Sequence, residues 1–463
     1  MNEQTERLPL RNRLLYSSGS ISGNAISRSM DLFFLFFYAP PADAEIAQRV
    51  PIVLAGIVIS GARLLEALDD PLIGFLSDRT RSRWGRRIPY VLVATPFLSL
   101  FFVLLWMPPD AHESFANVVY LFVVLWFFHL FSTLSGGPFE SLLPEIAPRA
   151  DDRLSIVSWQ VALGVVGAVL GLIVASVLKS MFGFQTMAIV LGGVALGSRY
   201  LALAGAWRPA MRTARERPEE EHMESFWAAI ATSLRNDQFV VFLPSFILYN
   251  MGVQMITGAL PFLTAAVIES GIKGSADIEI PGISAAIPPV EAMLGVTILT
   301  VIGALPFMVT YARRLGKRWV YARGMLVASI VFPLLFFVGL MPGPAIAQAL
   351  VFAALVGLPL ASVQTFPNAL IADITDYDAL QTGMRREATY YATQAMFEKV
   401  ASAFAPALLA LLLFMGSTAD NPLGVRLVGP VAGAATLVGY LMFRRYWLPD
   451  TVTEETVREA AGR

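Results

Sequence analysis

Apolar residues along this chain fall in blocks of about 20 or more, the length of helix that crosses a hydrocarbon core about 30 Å thick. Twelve blocks are expected as spans, at roughly 14–38, 48–77, 88–108, 114–146, 154–181, 185–207, 238–268, 288–312, 319–341, 343–372, 387–415 and 424–447. Each must be helical, because a segment surrounded by lipid has to satisfy its own backbone hydrogen bonds. Several blocks exceed 25 residues, which implies tilt or extension beyond the bilayer. The expected fold class is an all-α membrane protein with twelve transmembrane helices. A charged run at 208–223, RPAMRTARERPEEEHM, divides the blocks six and six. The expected organisation is a half at 1–207, a linker at 208–237 with a short amphipathic helix near 224–236, a second half at 238–447 and a tail at 448–463. The connection 269–287 is long, with several Gly, Pro and Ile residues, and is read as a loose loop rather than a lid.

Composition agrees with the blocks. The 463 residues are 56% hydrophobic and 15% charged, where soluble domains are about 25% charged. The positive charges orient the spans. With the N-terminus in the cytoplasm, 26 of the 34 basic residues lie on the cytoplasmic side and four (Arg49, Lys179, Lys273, Arg426) on the other. Arg28, Arg63, Arg199 and Lys399 lie inside spans. That asymmetry places both termini in the cytoplasm of a cell inner (plasma) membrane protein. A net charge of −1, with basic residues confined to short loops, gives no reason to expect nucleic acid. There is no cysteine, so disulfides and thiolate chemistry are excluded. The three histidines, His112, His129 and His222, are scattered with no metal-ligand spacing. The first block is too long for a cleavable signal and contains Arg28 and Asp31. No nucleophile–base set, phosphate loop or G-x-G-x-x-G pattern is present, so neither an enzyme nor ATP-driven work is expected.

Charges inside apolar helices are costly and mark function or structural ion pairs. On the second block, Glu66 and Asp70 are four apart and share a face, Arg63 lies on the same stripe, and Asp69 is about 100° round the helix. Two carboxylates one turn apart either offer oxygens to a cation or share a proton; the alternative is a structural cluster neutralised by Arg63. On the first block, Ser17, Ser20, Asn24, Ser27, Arg28 and Asp31 form one polar stripe, read as the lining of a watery cavity rather than a seam between helices. Glu140 follows Gly136, Gly137 and Pro138 on the fourth block, at cavity depth or near the inner face. Lys399 lies inside the eleventh block, a candidate partner for Glu66 or Asp70, or else a member of a fixed ion pair. Gln394 is about 140° away from it, so both do not face one point on a regular helix.

The halves also echo one another. RTRSRWGRR follows the second block and RRLGKR the eighth; the fourth ends PFESLLPEIAPRADDR and the tenth PNALIADITDYDALQTGMRRE. Six plus six related spans around a midmembrane site is the major facilitator architecture. The two basic loops are read as inner-face contacts that open and close with the transport cycle, against anionic headgroup binding.

These residues also carry a resemblance. R-x-x-E-A-x-D-D-P-x-x-G at 63–74, S-D-R-T-R-S-R-W-G-R-R at 77–87, P-F-E-S-L-L-P-E at 138–145, A-D-I-T-D-Y at 372–377 with G-M-R-R-E at 383–387, and M-F-E-K-x-x-S-A-F-A at 396–405 resemble the glycoside–pentoside–hexuronide:cation symporters. These belong to the melibiose permease branch of the major facilitator superfamily. The resemblance implies that Glu66 and Asp70 bind the coupling cation, with Glu66 replacing a more usual Asp. It implies functional roles for Lys399 and Gln394. Asn24 and Gly136 stand where melibiose permease has acids, Glu140 where it has an aromatic that packs on the sugar, and Gln160 where it has an Arg. The cation half of the site is thus better retained than the sugar half. Animal relatives in the family carry lysophospholipids.

The expected function is a Na⁺- or H⁺-coupled symporter working by alternating access on a small organic solute, a sugar or glycoside before a lysophospholipid or other amphiphile. A non-transporting membrane sensor or scaffold is the alternative of another class. Glu66, Asp70 and Asp69 are the cation candidates, Asn24, Arg28, Glu140, Gln160, Gln394 and Lys399 the cargo candidates, and Arg63 and Lys399 the coupling residues. No cofactor beyond the coupling ion is expected, and the chain is read as a monomer in the bilayer.

Overall fold

In the computed structural model the described residues are 8–44, 46–80, 82–147, 149–216, 226–269, 278–279, 286–383, 386–453 and 455–456. Helices follow the apolar blocks. In chain order they are α1 (Leu10–Ser17), α2 (Gly19–Tyr38), α3 (Ile52–Arg79), α4 (Ile88–Leu104), α5 (Phe115–Ser141), the single turn α6 (Leu143–Ile146), α7 (Ala150–Val169) and α8 (Ala175–Glu216). Then come α9 (Phe226–Ser233), α10 (Asp237–Leu263), α11 (Pro289–Leu315), α12 (Lys317–Val331), α13 (Ala345–Val363), α14 (Pro367–Thr382), α15 (Glu387–Phe414) and α16 (Leu423–Phe443). Joined end to end where they continue one another, they make the twelve expected spans of a multi-pass membrane protein. Eight described runs are long and apolar enough to cross a membrane, and one, Ser155–Met211, has room for two spans. α2 and α3, which carry the buried charges, fall outside that apolar set. Large apolar side chains such as Leu299, Phe307, Ile330 and Phe414 are exposed on the helix surfaces. In water such faces would be a liability; in lipid they are the ordinary outer surface.

Several boundaries differ from those read in the sequence. Spans five and six meet within α8 at Gly183, whose φ of +82° breaks the helical path. A residue with a Cβ would be strained there. The sixth span runs on to Glu216, because the Ala, Arg, Met and Glu residues of RPAMRTARE at 208–216 are good helix formers that carry the helix past Pro209 despite their charge. The tenth span is broken after Val363 and restarts at Pro367, a residue suited to the first helical turn. The all-helical expectation also has one exception. Ile278 pairs with Ile287 and Glu279 with Ala286 in an antiparallel ladder inside the 269–287 connection; the residues between those strands lie outside the described set, as does all of 217–225.

The chain forms two compact units. Unit 1 comprises Met1–Tyr38, Gln48–Leu54 and Gly61–His222; unit 2 comprises Ala39–Ala47, Ala55–Ser60 and Met223–Arg463. One core of unit 1 gathers Tyr16, Phe139, Ile146, Ile156 and Leu203. Near another end of the same unit, Trp106 stacks on Phe184 at 5.5 Å and packs against Phe34 and Phe37. In unit 2, Phe443 packs between Tyr321 (4.7 Å) and Tyr446 (4.9 Å). Close packing of this kind, together with hydrogen bonds between helices, supplies cohesion inside lipid, where no hydrophobic effect acts between helices.

Candidate functional site

The polar stripe of α2 and the charged face of α3 meet inside unit 1. Arg63 donates from Nη2 to Asp31 Oδ1 at 3.0 Å. Arg28 approaches the other oxygen of Asp31 at 3.6 Å, one helical turn away on α2. Arg63 and Asp31 are largely buried, with side chains 15% and 12% exposed, while Arg28 is 42% exposed. Three- and four-residue spacing puts Asn24, Arg28 and Asp31 on one line of α2 and so brings Arg28 to Asp31; Arg63 reaches the same acid from α3.

Glu66 has a different partner. Its Oε2 lies 2.7 Å from His129 Nδ1 on α5, and both side chains are substantially buried. The other nitrogen of His129, Nε2, is buried with no hydrogen-bond partner among the described residues, as is the hydroxyl of Thr133 one turn along. Asp69 is half-buried on α3. Asp70 is on the same helix, but its side chain lies outside the described residues, as do those of Arg79 and Arg81.

α5 presents a face built at helical spacing from His129, Thr133, Gly136, Gly137 and Glu140. Space beside Gly136 and Gly137 is open: a Cβ at either position would meet nothing within 4 Å, and the same holds at Gly23 on α2. Glu140 is exposed on this open side. Behind it, the Arg199 guanidinium lies over the Phe139 ring at 4.4 Å, and the Tyr16 ring stacks on the same residue at 4.6 Å. Arg199 is 6% exposed, and its Nε has no hydrogen-bond partner among the described residues. On α2, Asn24 donates to the Ser20 carbonyl at 3.0 Å. A Cβ at Gly164 on α7 would stand 3.2 Å from the Asn24 amide. Gln160 is half-buried one turn before Gly164 and so flanks the same stripe. In unit 2, Gln394 is buried at 7% exposure and Lys399 is half-buried, both on α15.

Each unit also has an ion pair where its basic loop meets its Pro-containing span end. Glu145 Oε1 accepts from Arg86 at 2.9 Å and Arg87 at 3.0 Å, and Arg87 donates as well to the Ser141 carbonyl. In unit 2, Lys317 Nζ reaches Asp373 at 2.7 Å. The loops read as gating contacts therefore grip an acid of their own unit. Unit 2 also has a small, partly open apolar pocket of about 60 Å³ among α10, α11, α13 and Phe332. Val253, Ile256, Met293 and Phe352 line it, and Thr257 and Thr297 are its only hydroxyls. Both hydroxyls already bond to carbonyls of their own helix. None of the sequence-derived site residues lines this cavity.

Of the residues singled out in the sequence, Arg28 and Arg63 are brought together by Asp31, and Glu66 is engaged by a histidine. His129 was missed. Its only signal was a lone imidazole in the apolar run FVVLWFFHLF, without any ligand spacing. Asp31 was seen as cavity lining but not as the acid that holds Arg63.

The chain has relatives among known proteins. Residues 15–422 match the family model described as MFS/sugar transport protein. The chain is 32% identical over 173 residues to an uncharacterized symporter of Synechocystis, a match covering 36% of this chain and 31% of that protein's length. It is 22% identical over 504 aligned positions to the sodium-dependent lysophosphatidylcholine symporter 1 of Gallus gallus, covering 99% of this chain and 89% of that one. The crystal structure of the nucleoside transporter NupG superposes with a TM-score of 0.63 at 11% identity, over 94% of this chain and 98% of NupG. That last likeness is one of fold alone.

Proposed function

We propose that this chain, which belongs to the MFS/sugar transport protein family, is a cation-coupled symporter that carries a small organic solute across the membrane by alternating access. The family is one of transporters rather than enzymes, and the resemblance read from residues 63–87 and their companions leads to the same place. The observation that carries the reading is the charged face of α3. Arg63 and Glu66 are kept inside the bundle, each with an oppositely charged or hydrogen-bonding partner from another helix. Such residues are expensive in a membrane and are retained where ions pass.

In this reading Glu66 and Asp70, assisted by Asp69, bind the coupling cation, Na⁺ or H⁺. A bound cation removes repulsion between neighbouring carboxylates and so lowers the cost of a state in which they are shut off from water. Arg63 and Lys399 couple that occupancy to the transport cycle, Lys399 on its sequence match alone. Asn24, Arg28, Glu140 and Gln160 from unit 1, with Gln394 and Lys399 from unit 2, meet the cargo. The family description favours a sugar or glycoside. A second cargo class, an amphiphile such as a lysophospholipid, is favoured by the full-length similarity to the Gallus gallus symporter. The distribution of Lys and Arg supports an orientation with both termini in the cytoplasm. The two six-helix halves expected at 1–207 and 238–447 would move about the connection between α8 and α10 in a functional monomer, with the residues after Asp450 as a cytoplasmic tail.

The test is counterflow in proteoliposomes across sugars and lysophospholipids, with Na⁺ and pH varied separately. Glu66→Gln with Asp70→Asn should abolish uphill uptake and leave exchange of internal and external cargo. Intact uphill uptake would remove the cation assignment. No counterflow with any cargo would favour a sensor or scaffold.

A further inference from the structure

We infer that His129 is a positioning residue for the coupling cation: its Nδ1 holds one oxygen of Glu66 and thereby sets where the other is presented. The inference rests on the cation-coupled reading above and adds a residue that no part of that reading uses. The two side chains come from α5 and α3 of the same unit, and Nδ1 stands 2.7 Å from Glu66 Oε2. An ionised carboxylate accepts only, so the imidazole must donate from Nδ1. Nδ1 is the ring nitrogen nearer the backbone, so the bond reads the χ angles of His129 closely. The ring has little freedom of its own: it is 6% exposed and packed edge-on against Phe128 at 5.2 Å.

Glutamate needs such a hold. It has three side-chain torsions and loses more rotamer freedom on ordering than most residues. A cation ligand that wanders costs affinity, and anchoring one carboxylate oxygen removes most of that wandering. The same contact explains the length of the acid. An aspartate at position 66 would withdraw its carboxylate by one methylene and leave His129 Nδ1 out of reach. Glu66 and His129 thus act as a matched pair across two helices. Arg63, three residues before Glu66 on α3, is held by Asp31 of α2 at 3.0 Å, and Asp69 follows Glu66 on the same helix; His129 brings its donor to Glu66 from another helix.

Loss of a group that orients an ion ligand typically costs about 10- to 100-fold in ion affinity. The experiment uses the full-length protein in detergent and in liposomes, with NaCl titrated against choline chloride, and reads the Na⁺ concentration for half-maximal thermal stabilisation and for half-maximal counterflow. His129→Ala and Glu66→Asp should each raise both values by about 10- to 100-fold. His129→Asn, whose amide nitrogen occupies the place of Nδ1, should return to the wild-type range; His129→Gln, whose nitrogen lies one atom further out, should not. A packing role alone would move the melting temperature without separating Asn from Gln. The inference is overturned if the Na⁺ dependence is wild-type in His129→Ala, or if Asn and Gln behave alike. A wild-type protein with no Na⁺ response overturns both this inference and a sodium-coupled reading; a normal wild-type response with unresponsive variants overturns this inference alone.

Discussion

Replacing Glu145 by glutamine should cost the folded protein about 2 kcal/mol, and replacing it by alanine about 3.5 kcal/mol. The figures follow from the three donors at one oxygen. Arg86 supplies two contacts, Nη2 at 2.9 Å and Nε at 3.0 Å, but its side chain is 37% exposed. Its share is therefore that of a surface pair, about 0.5 kcal/mol. Arg87 is different, with a side chain only 11% exposed and Nη1 3.0 Å from Oε1. Trading its charge-assisted bond for a neutral amide acceptor loses about 1–1.5 kcal/mol. Alanine leaves the Arg87 charge buried, which alone costs about 3–5 kcal/mol. The Ser141 carbonyl still accepts from Arg87, so the lower end applies. Denaturant titration of the full-length protein, followed by tryptophan fluorescence, reports the change. Trp84 and Trp207, whose rings lie 5.9 Å apart in the same unit, give a local signal. A double-mutant cycle with Arg87→Gln isolates the pair and should show a coupling above about 1 kcal/mol. Strict additivity of the two single substitutions would refute the account.

The glycines at 183 and 316 separate strain from collision. Both have positive φ, +82° and +94°, but a Cβ at Gly183 meets nothing within 4 Å whereas one at Gly316 strikes the Asp450 carboxylate. Gly183→Ala should cost about 1 kcal/mol of backbone strain. Gly316→Ala should cost about 2 kcal/mol, because Asp450 must also release the Lys317 backbone N–H it caps at 2.8 Å; in an Asp450→Ala background the two costs should converge, and a persistent difference measured by the same titration counts against the mechanism. Asp31→Asn should destabilise by about 2–3 kcal/mol, since it strips the buried Arg63 of its carboxylate. Arg28→Gln, at 3.6 Å and 42% exposed, should stay within about 0.5 kcal/mol; the opposite ranking would show that Arg28, and not Arg63, is the residue Asp31 serves.

The spans were legible because lipid imposes a length and a composition on every one of them. The division near 181–185 even straddles Gly183, although nothing in the sequence distinguished that glycine from the others. Boundaries failed where two signals compete. Residues 208–216 are charged enough to look like a linker, yet apart from Pro209 and Thr213 they are good helix formers, and they prolong α8. The break before Pro367 was hidden because the apolar run continues across it. At the site, the stripes of α2 and α3 could be drawn from spacing alone, but their partners could not. Arg63 finds Asp31 across 32 residues, and Glu66 finds His129 on another helix. Which rows face one another is set by helix packing, and periodicity within a helix says nothing about its neighbour's rotation. The repeated acid near each span end was likewise visible as a motif, but not as the ligand of its own unit's basic loop.

That repeat is not a symmetry of chemistry. Glu145 is held by two guanidinium groups, each a planar array of donors, one of them also fixed to the Ser141 carbonyl. Asp373 is held by one ammonium, a compact charge on a flexible stem that imposes far less direction. Unit 2 makes up the difference with residues that have no counterpart in unit 1. Asp450 caps α12 at the backbone of the same Lys317, the Trp447 N–H donates to Gln238 at 2.9 Å, and the Trp447 ring packs edge-on against Tyr377. Tyr446 is buried beside Phe443. Residues 446–450 are therefore part of the fold of unit 2, and the solvated tail expected from residue 448 starts only after Asp450 has closed over the loop. The consequence is an uneven division of labour between related halves. Unit 1 secures its basic loop by side-chain geometry within the loop itself, whereas unit 2 secures its loop from the far end of its own sequence, so a change near residue 450 reaches Lys317 and Asp373 directly while leaving Arg86, Arg87 and Glu145 untouched.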